Sequence, residues 1–105
     1  SNTILKENVM LEINTIVGHD IVIGMHSVVS SCSVLGGGTR VGEQSFIGLN
    51  SSVKERTSIG NRVVIGMQSA VFNDVPDDVI AMGNPCRVVR KNETGRVFKP
   101  SPALA

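Results

Sequence analysis

Aromatic residues are scarce in this chain of 105 residues. It has no Trp and no Tyr, and aromatic residues make up 3% of the sequence, whereas hydrophobic residues make up 41%. A single bulky globular core is normally built around aromatic side chains, which bury large areas. The interior is therefore predicted to be narrow and uniform. A domain this small also buries a modest share of its surface, so we expect a partner subunit to help stabilise it.

Long apolar runs and cysteine are also scarce. No apolar run approaches the length of a membrane span. The first residues also lack the charged region followed by an apolar region that is typical of a secretory signal. These features predict a soluble cytoplasmic protein with no membrane span. Cys32 and Cys86 have no metal-ligand spacing, so we expect reduced thiols and no metal site. The opening Ser1-Asn2 resembles the remnant of an expression tag, and the missing initial Met suggests a piece of a longer protein.

Charge is divided unevenly along the chain. Residues 1–84 hold five Lys or Arg against eight Asp or Glu, whereas residues 85–105 hold five against one. The basic end is short and lacks the interleaved aromatic residues of a nucleic-acid surface, so no nucleic-acid partner is predicted. Two interpretations of it stay open, a solvated end and a contact with phosphate.

Aliphatic residues recur at every sixth position, twelve times without a miss. Glycine follows seven of them, and the fourth residue after each is always Ser, Thr, Val or Ile. This period matches neither a helix nor a single strand, but it fits short strands joined by corners and wound around an axis, which predicts a solenoid. We expect the aliphatic residues to point inward, the glycines to occupy tight backbone bends and the small fourth residues to fit the corners. The aliphatic positions are Leu5, Leu11, Val17, Ile23, Val29, Leu35, Val41, Ile47, Val53, Ile59, Ile65 and Val71.

This pattern resembles that of the hexapeptide-repeat acyltransferases. The resemblance implies an all-β fold, a left-handed parallel β-helix with eighteen residues per triangular coil and about four coils from Leu5 to Pro76. Its hand is implied by the resemblance alone, because parallel crossovers are normally right-handed. After Pro76 the period is lost, and a loop followed by a short strand is predicted to end the solenoid. The predicted segments are a lead-in (1–4), the β-helix domain (5–90) and a C-terminal tail (91–105).

Eighteen residues per coil place His19 in one column with Gly37, Glu55 and Asn73, and Gly37 lies on the adjacent coil. Acyl transfer from a thioester requires a base for the attacking amine or hydroxyl and a donor for the oxyanion, and an imidazole beside a bare backbone N–H offers both. Asp20 can orient the imidazole if the corner brings its carboxylate back. The alternative for His19 is a solvated turn residue.

Several segments are similar, more specifically, to sugar O-acyltransferases related to sialic-acid O-acetyltransferase and to bacterial N-acetyltransferases acting on nucleotide-linked amino sugars. These segments are HDIVIG (19–24), LGGG (35–38), FIG (46–48), DVP (74–76) and GNPCRVVR (83–90). The resemblance implies a homotrimer that binds acetyl-CoA in a groove between adjacent subunits, with a sugar or nucleotide-sugar acceptor. It also implies an N-terminal domain that contributes to acceptor binding and is missing from this chain.

The resemblance also implies roles for individual residues. His19 would be the general base and Asp20 would tune it. Main-chain atoms of Gly37 and of the column with Leu49 and Met67 would contact acetyl-CoA.

Charge and exposure add two further predictions. The basic segment with Arg87, Arg90 and Lys91 is predicted to meet the phosphates of coenzyme A, since guanidinium attracts phosphate by charge and paired hydrogen bonds. Outward apolar residues such as Phe46, Leu49 and Met67 are predicted to be buried against a neighbouring subunit.

One departure from the resembling enzymes concerns a second histidine. Some of them have one nine residues after the first, where this chain has Val28, and His26 lies two residues earlier. His26 falls on a different corner from His19, so a surface or interface role is predicted for it.

Two other functions compete with acetyl transfer. A γ-type carbonic anhydrase needs three imidazoles converging on zinc, and two histidines on different corners argue against it. A solenoid with a purely structural role needs only the repeats. The identity of the acceptor, and O- versus N-acetylation, stay open.

Overall fold

A computed structural model describes residues 2–93 of the chain. This part consists of short β-strands, numbered here in chain order. None of its residues belongs to a helix with the length and apolar character that a bilayer crossing demands. The strands are β1 (Ile4–Leu5), β2 (Met10–Leu11), β3 (Ile16–Val17), β4 (Val22–Ile23), β5 (Val28–Val29), β6 (Val34–Leu35), β7 (Arg40–Val41), β8 (Phe46–Ile47), β9 (Ser52–Val53), β10 (Ser58–Ile59), β11 (Val64–Ile65), β12 (Ala70–Val71), β13 (Val79–Met82) and β14 (Arg87–Lys91).

Strands β1 to β12 wind through three parallel sheets, with one strand in each sheet per coil. Sheet A has the order β1-β4-β7-β10, sheet B contains β2, β5, β8 and β11, and sheet C contains β3, β6, β9 and β12. Ile4 pairs with Val22 and Val22 pairs with Arg40, so paired residues are eighteen positions apart. The predicted fold class is confirmed: the chain forms a parallel β-helix of four coils, and its hexapeptide repeats are typical of the left-handed class.

The inward aliphatic side chains form the core of the prism. Ile23, Ile47 and Ile65 are fully buried, as predicted. In the first coil, however, Leu5 is 45% exposed and Leu11 is 38% exposed. These values do not contradict the predicted inward direction, because an inward side chain is fully covered only when a coil lies on both sides. Within residues 2–93 the first coil has a neighbouring coil on one side only.

The small residues fit the corners, as predicted, and their hydroxyls tie each coil to the next. Ser27 Oγ donates to Gly42 O at 2.6 Å and accepts from Ser45 N at 3.0 Å. Ser45 Oγ repeats the pattern one coil later, with Gly60 O at 2.8 Å and Val63 N at 3.0 Å. A buried hydroxyl left without these partners would cost about 1–3 kcal/mol. The serine ladder therefore specifies the register between coils.

The repeat glycines were predicted to occupy tight backbone bends, but the left-handed residues of the corners are not these glycines. The positive φ angles occur two residues later, for example 57° at Asp20 and 61° at His26. Gly24 instead faces the backbone of the next coil, and a Cβ atom there would lie 2.6 Å from the carbonyl carbon of Gly42. Glycine is needed here because adjacent coils approach each other too closely for a side chain.

Two strands, rather than one, end the solenoid. β13 adds to sheet B parallel to β11, and β14 pairs antiparallel with β13. The predicted loop and short strand were therefore incomplete, and β14 lies at the edge of sheet B. Its exposed Arg87, Arg90 and Lys91 oppose pairing of this edge with a further strand.

Ordered contacts continue past residue 90, where the β-helix domain was predicted to end. Asn92 is buried, and its N–H donates to Asp78 O at 2.9 Å while its Nδ2 donates to Arg62 O at 3.0 Å. The Arg62 guanidinium donates to the Asp78 carboxylate, and this hydrogen bond holds the pKa of Asp78 below its usual value. Lys91 belongs to β14, so the predicted tail overlaps the hairpin. The rest of that predicted tail, from residue 94 on, and Ser1 lie outside the described residues.

Candidate active site

The predicted catalytic pair lies at a corner of the prism between sheets C and A. Residues 18–21 connect β3 of sheet C to β4 of sheet A. The same corner is made in later coils by residues 36–39, 54–57 and 72–75. We call these four segments the His19 corner. Equivalent positions in successive coils lie about 4.8 Å apart, so side chains from neighbouring coils can act together.

His19 and Asp20 contact each other although they are neighbours in sequence. His19 Nδ1 lies 2.9 Å from Asp20 Oδ2. Neighbouring side chains diverge in an extended chain, but Asp20 has a φ angle of 57°. This left-handed conformation turns the carboxylate back towards the imidazole. When Nδ1 donates its proton to the carboxylate, Nε2 is left as the acceptor nitrogen of the neutral ring.

The other side of the imidazole lies against Gly37 of the next coil. A Cβ atom at Gly37 would lie 2.8 Å from His19 Nε2 and 2.9 Å from Cε1, so any larger residue would displace the ring. The neighbouring Gly38 N–H donates to His19 O at 2.9 Å. The Gly37 N–H, in contrast, donates to no group among residues 2–93. The structure thus brings His19, Asp20 and Gly37 together.

This arrangement offers the two groups that acyl transfer requires. Nε2 can take a proton from an attacking amine or hydroxyl, and a backbone amide can stabilise an oxyanion. The His19 side chain is 72% exposed and that of Asp20 is 53% exposed, so a substrate can reach both from solvent. In the described part of the chain, no three His, Cys, Asp or Glu side chains are grouped to hold a metal ion.

A pocket of about 340 Å³ continues along the same corner, beyond the coil of Gly37. Sequence analysis did not identify it. The sequence does contain a signal for it at one position of the corner. The first two coils have glycine at this position, Gly18 and Gly36, whereas the next two have Lys54 and Phe72. Where glycine is replaced by larger residues, their side chains can line a pocket at the corner. The pocket is lined by Lys54, Glu55, Arg56, Thr57, Phe72, Asn73 and Asp74.

The other predicted acetyl-CoA contacts lie elsewhere in the chain. Leu49 and Met67 occupy equivalent positions of the corner between sheets B and C and are 46% and 63% exposed. Phe46, predicted to point outward, is half-buried in β8. Because this corner is not the His19 corner, Leu49 and Met67 do not join the His19 site within one chain.

Arg87 is also separated from His19. It begins β14 in sheet B, the face of the prism opposite the His19 corner, and it is exposed. Its Nη1 donates to the neighbouring Cys86 O at 3.3 Å. A ligand held at His19 would therefore meet Arg87 only if a second chain presented it.

His26 lies on the third corner, between sheets A and B. Its Nδ1 is 3.2 Å from Asn8 Nδ2 in the preceding coil, and both residues are exposed. The prediction of a different corner is confirmed. The two histidines of the chain therefore do not converge on one site.

Comparison with known proteins supports the predicted resemblance. Residues 2–37 match the family described as bacterial transferase hexapeptide (six repeats). A comparison with curated protein sequences gives no significant match.

Several solved structures with a similar fold are described as acetyltransferases or were solved with CoA. PerB from Caulobacter crescentus, solved in complex with CoA and GDP-perosamine, is 23% identical over 84% of this chain and 54% of that chain, with a TM-score of 0.67. A maltose O-acetyltransferase from Clostridium difficile 630 is 24% identical over 87% of this chain and 64% of that chain, with a TM-score of 0.64. Serine acetyltransferase from Neisseria gonorrhoeae is 25% identical over 97% of this chain and 42% of that chain, with a TM-score of 0.81.

The chain spans less than two thirds of the length of each of these proteins. The suspected resemblance is thus confirmed for the repeat and the fold.

Proposed function

We propose that this chain, a β-helix with the hexapeptide repeat of bacterial transferases, is the catalytic part of an acetyl-CoA-dependent acetyltransferase. The acceptor is an amine or hydroxyl of a sugar or nucleotide sugar. The observation that carries the proposal is the His19 imidazole, oriented by Asp20 and lying against Gly37, whose N–H has no partner among residues 2–93. The acetyltransferases that share the fold support it.

The proposed reaction is a direct transfer from the thioester to the acceptor. Nε2 of His19 takes the proton of the acceptor N–H or O–H while the acceptor lone pair attacks the thioester carbonyl carbon. The Gly37 N–H stabilises the resulting oxyanion. When this intermediate collapses, the carbon–sulfur bond breaks, and the imidazolium returns the proton to the departing thiolate. The products are the acetylated acceptor and free CoA.

In this proposal Asp20 acts through His19. Its contact with Nδ1 favours the tautomer in which Nε2 accepts, and it stabilises the imidazolium that forms during transfer. The pair is exposed, so its contribution to folding is small. Asp20 is therefore proposed to serve catalysis more than stability.

The remainder of each substrate is proposed to lie along the His19 corner and against a neighbouring subunit of a homotrimer. The pocket beyond Gly37 offers charged, amide and aromatic groups on the same corner. Leu49, Met67 and Arg87 require a second chain to approach this corner, and the exposure of the two apolar residues supports such an interface. A cytoplasmic location remains a prediction.

Acceptor selection is proposed to depend on a segment outside this chain. The chain covers 54% of PerB, which was solved with GDP-perosamine, and 64% of the maltose enzyme. These shares support a further segment beside the β-helix in such enzymes; its N-terminal position and its binding of the acceptor belong to the proposal.

The proposal is tested by release of the CoA thiol from acetyl-CoA, followed with a thiol reagent, by the natural full-length protein. Maltose, serine and GDP-perosamine make a first acceptor panel, because proteins with this fold act on or bind them. We expect release to depend on an acceptor and to be lost in His19→Asn. Binding of CoA measured by calorimetry separates an enzyme whose acceptor is absent from the panel from a purely structural solenoid. Failure to bind CoA would favour the structural role.

A further inference from the structure

The residue before His19 faces the same backbone amide as the imidazole does. A Cβ atom at Gly18 would lie 2.9 Å from Gly37 N, 3.1 Å from Leu35 O and 3.2 Å from Gly37 Cα. Gly18 N donates to Leu35 O at 3.0 Å, which fixes the distance between the two coils. A methyl group at position 18 would therefore cover the Gly37 amide or push the two coils apart.

Glycine is not present at this position of the His19 corner in every coil. The equivalent position carries Lys54 in the third coil and Phe72 in the fourth, so the fold accommodates large side chains there. Glycine also holds the equivalent position of other hexads, for example Gly24 and Gly36, so what sets Gly18 apart is the group that it faces, the Gly37 N–H beside His19.

We infer that Gly18 is a positioning residue of the active site, which keeps the Gly37 N–H open to the thioester oxygen beside His19 Nε2. The inference rests on the proposed acyl transfer and adds a residue to it. Gly37 lacks a side chain because one would strike the imidazole, whereas Gly18 lacks one because it would strike the amide. The two glycines thus leave a notch free of side chains in which a planar thioester can lie against both groups.

Gly18→Ala and Gly24→Ala are a matched pair for testing this. A Cβ atom at Gly24 would lie 2.8 Å from Glu43 N, which repeats the relation between Gly18 and Gly37 at a corner away from His19. Both variants should lose stability, since both crowd an amide of the next coil. Only Gly18→Ala should lose turnover, with kcat falling by about 10²-fold or more, the usual cost of one oxyanion donor.

Turnover is measured in full-length protein, with folding checked by thermal denaturation and by CoA binding. Equal losses of kcat in the two variants would overturn the inference. The pH dependence of the remaining activity of Gly18→Ala should match the wild type, because the His19–Asp20 contact is untouched, and an altered profile would show that alanine disturbs the base instead.

The NMR signal of the Gly37 amide provides a readout that does not need turnover. Addition of acetyl-CoA should shift it in the wild type and in Gly24→Ala, but not in Gly18→Ala. A wild-type response in Gly18→Ala refutes the role of Gly18, even if no acceptor is ever found. Absence of acetyl transfer by the wild type with every acceptor would count against the proposed function.

If Gly18→Ala is unfolded at the assay temperature, the role of the Gly37 N–H as oxyanion donor can be tested in another way. Semisynthetic replacement of Gly37 by glycolate exchanges only its N–H for oxygen. Unchanged turnover in that protein would refute the proposed donor and, with it, the role of Gly18.

Discussion

Replacing His19 by Asn separates catalysis from folding more sharply than other single changes. His19 Nδ1 and Asp20 Oδ2 are 2.9 Å apart, but the two side chains are 72% and 53% exposed. An exposed pair of this kind contributes at most about 1 kcal/mol to folding. Loss of the imidazole should therefore lower Tm by no more than about 4–8 °C.

The expected loss of activity is much larger. Removal of a general base typically slows a reaction about 10²- to 10⁴-fold, which corresponds to roughly 3–5 kcal/mol of transition-state stabilisation. Because this exceeds the folding contribution several-fold, unfolding cannot account for it. Acetyl-CoA should still bind nearly normally, since the proposed cofactor contact at this corner is the Gly37 backbone, and the loss should appear in kcat.

His26→Asn is the matched control. His26 lies on another corner with a φ angle of 61°, a conformation that Asn tolerates. This variant should retain most of the activity. The measurement is steady-state release of the CoA thiol at neutral pH, with Tm recorded for both proteins. Near-normal turnover of His19→Asn with the true acceptor would refute the role of His19 and leave it as a turn residue.

Three further predictions concern assembly, the acyl donor and acid stability. Light scattering at micromolar concentration should give the mass of three chains for the wild type and of one chain for a variant with Leu49→Asp and Met67→Asp; a monomeric wild type would contradict the trimer. Arg87→Gln combined with Arg90→Gln should weaken binding of CoA more than binding of pantetheine, because only CoA carries phosphates; equal losses would exclude the assignment. The lowered pKa of Asp78 means that its stabilising contribution is present above its unfolded pKa and is lost as the pH falls through the folded value. Asp78→Asn should therefore lower Tm at neutral pH and flatten its decline in acid, and superimposable curves of Tm against pH would disprove this.

The fold was largely predictable from the sequence because its information is local and repeated. Twelve aliphatic residues at six-residue spacing predict the inward column, and the eighteen-residue pairing of Ile4 with Val22 follows once three hexads make a coil. The partial exposure of Leu5 and Leu11 could not be predicted, because a periodic pattern does not record how many coils cover a given residue. The C-terminal hairpin was incompletely predicted since it lies outside the repeat.

The sequence by itself also determined which residues share a column, and so it placed His19 beside Gly37. Only the tertiary structure decided how the groups meet. The carboxylate of Asp20 reaches the imidazole because the corner adopts a left-handed φ angle there, and nothing in the hexad pattern specifies that torsion. The reason for the glycines likewise came from the structure, since a distance of 2.9 Å between a missing Cβ at Gly18 and the Gly37 amide arises between coils. A sequence specifies the order of residues along one coil, whereas clearances between coils depend on the packed backbone.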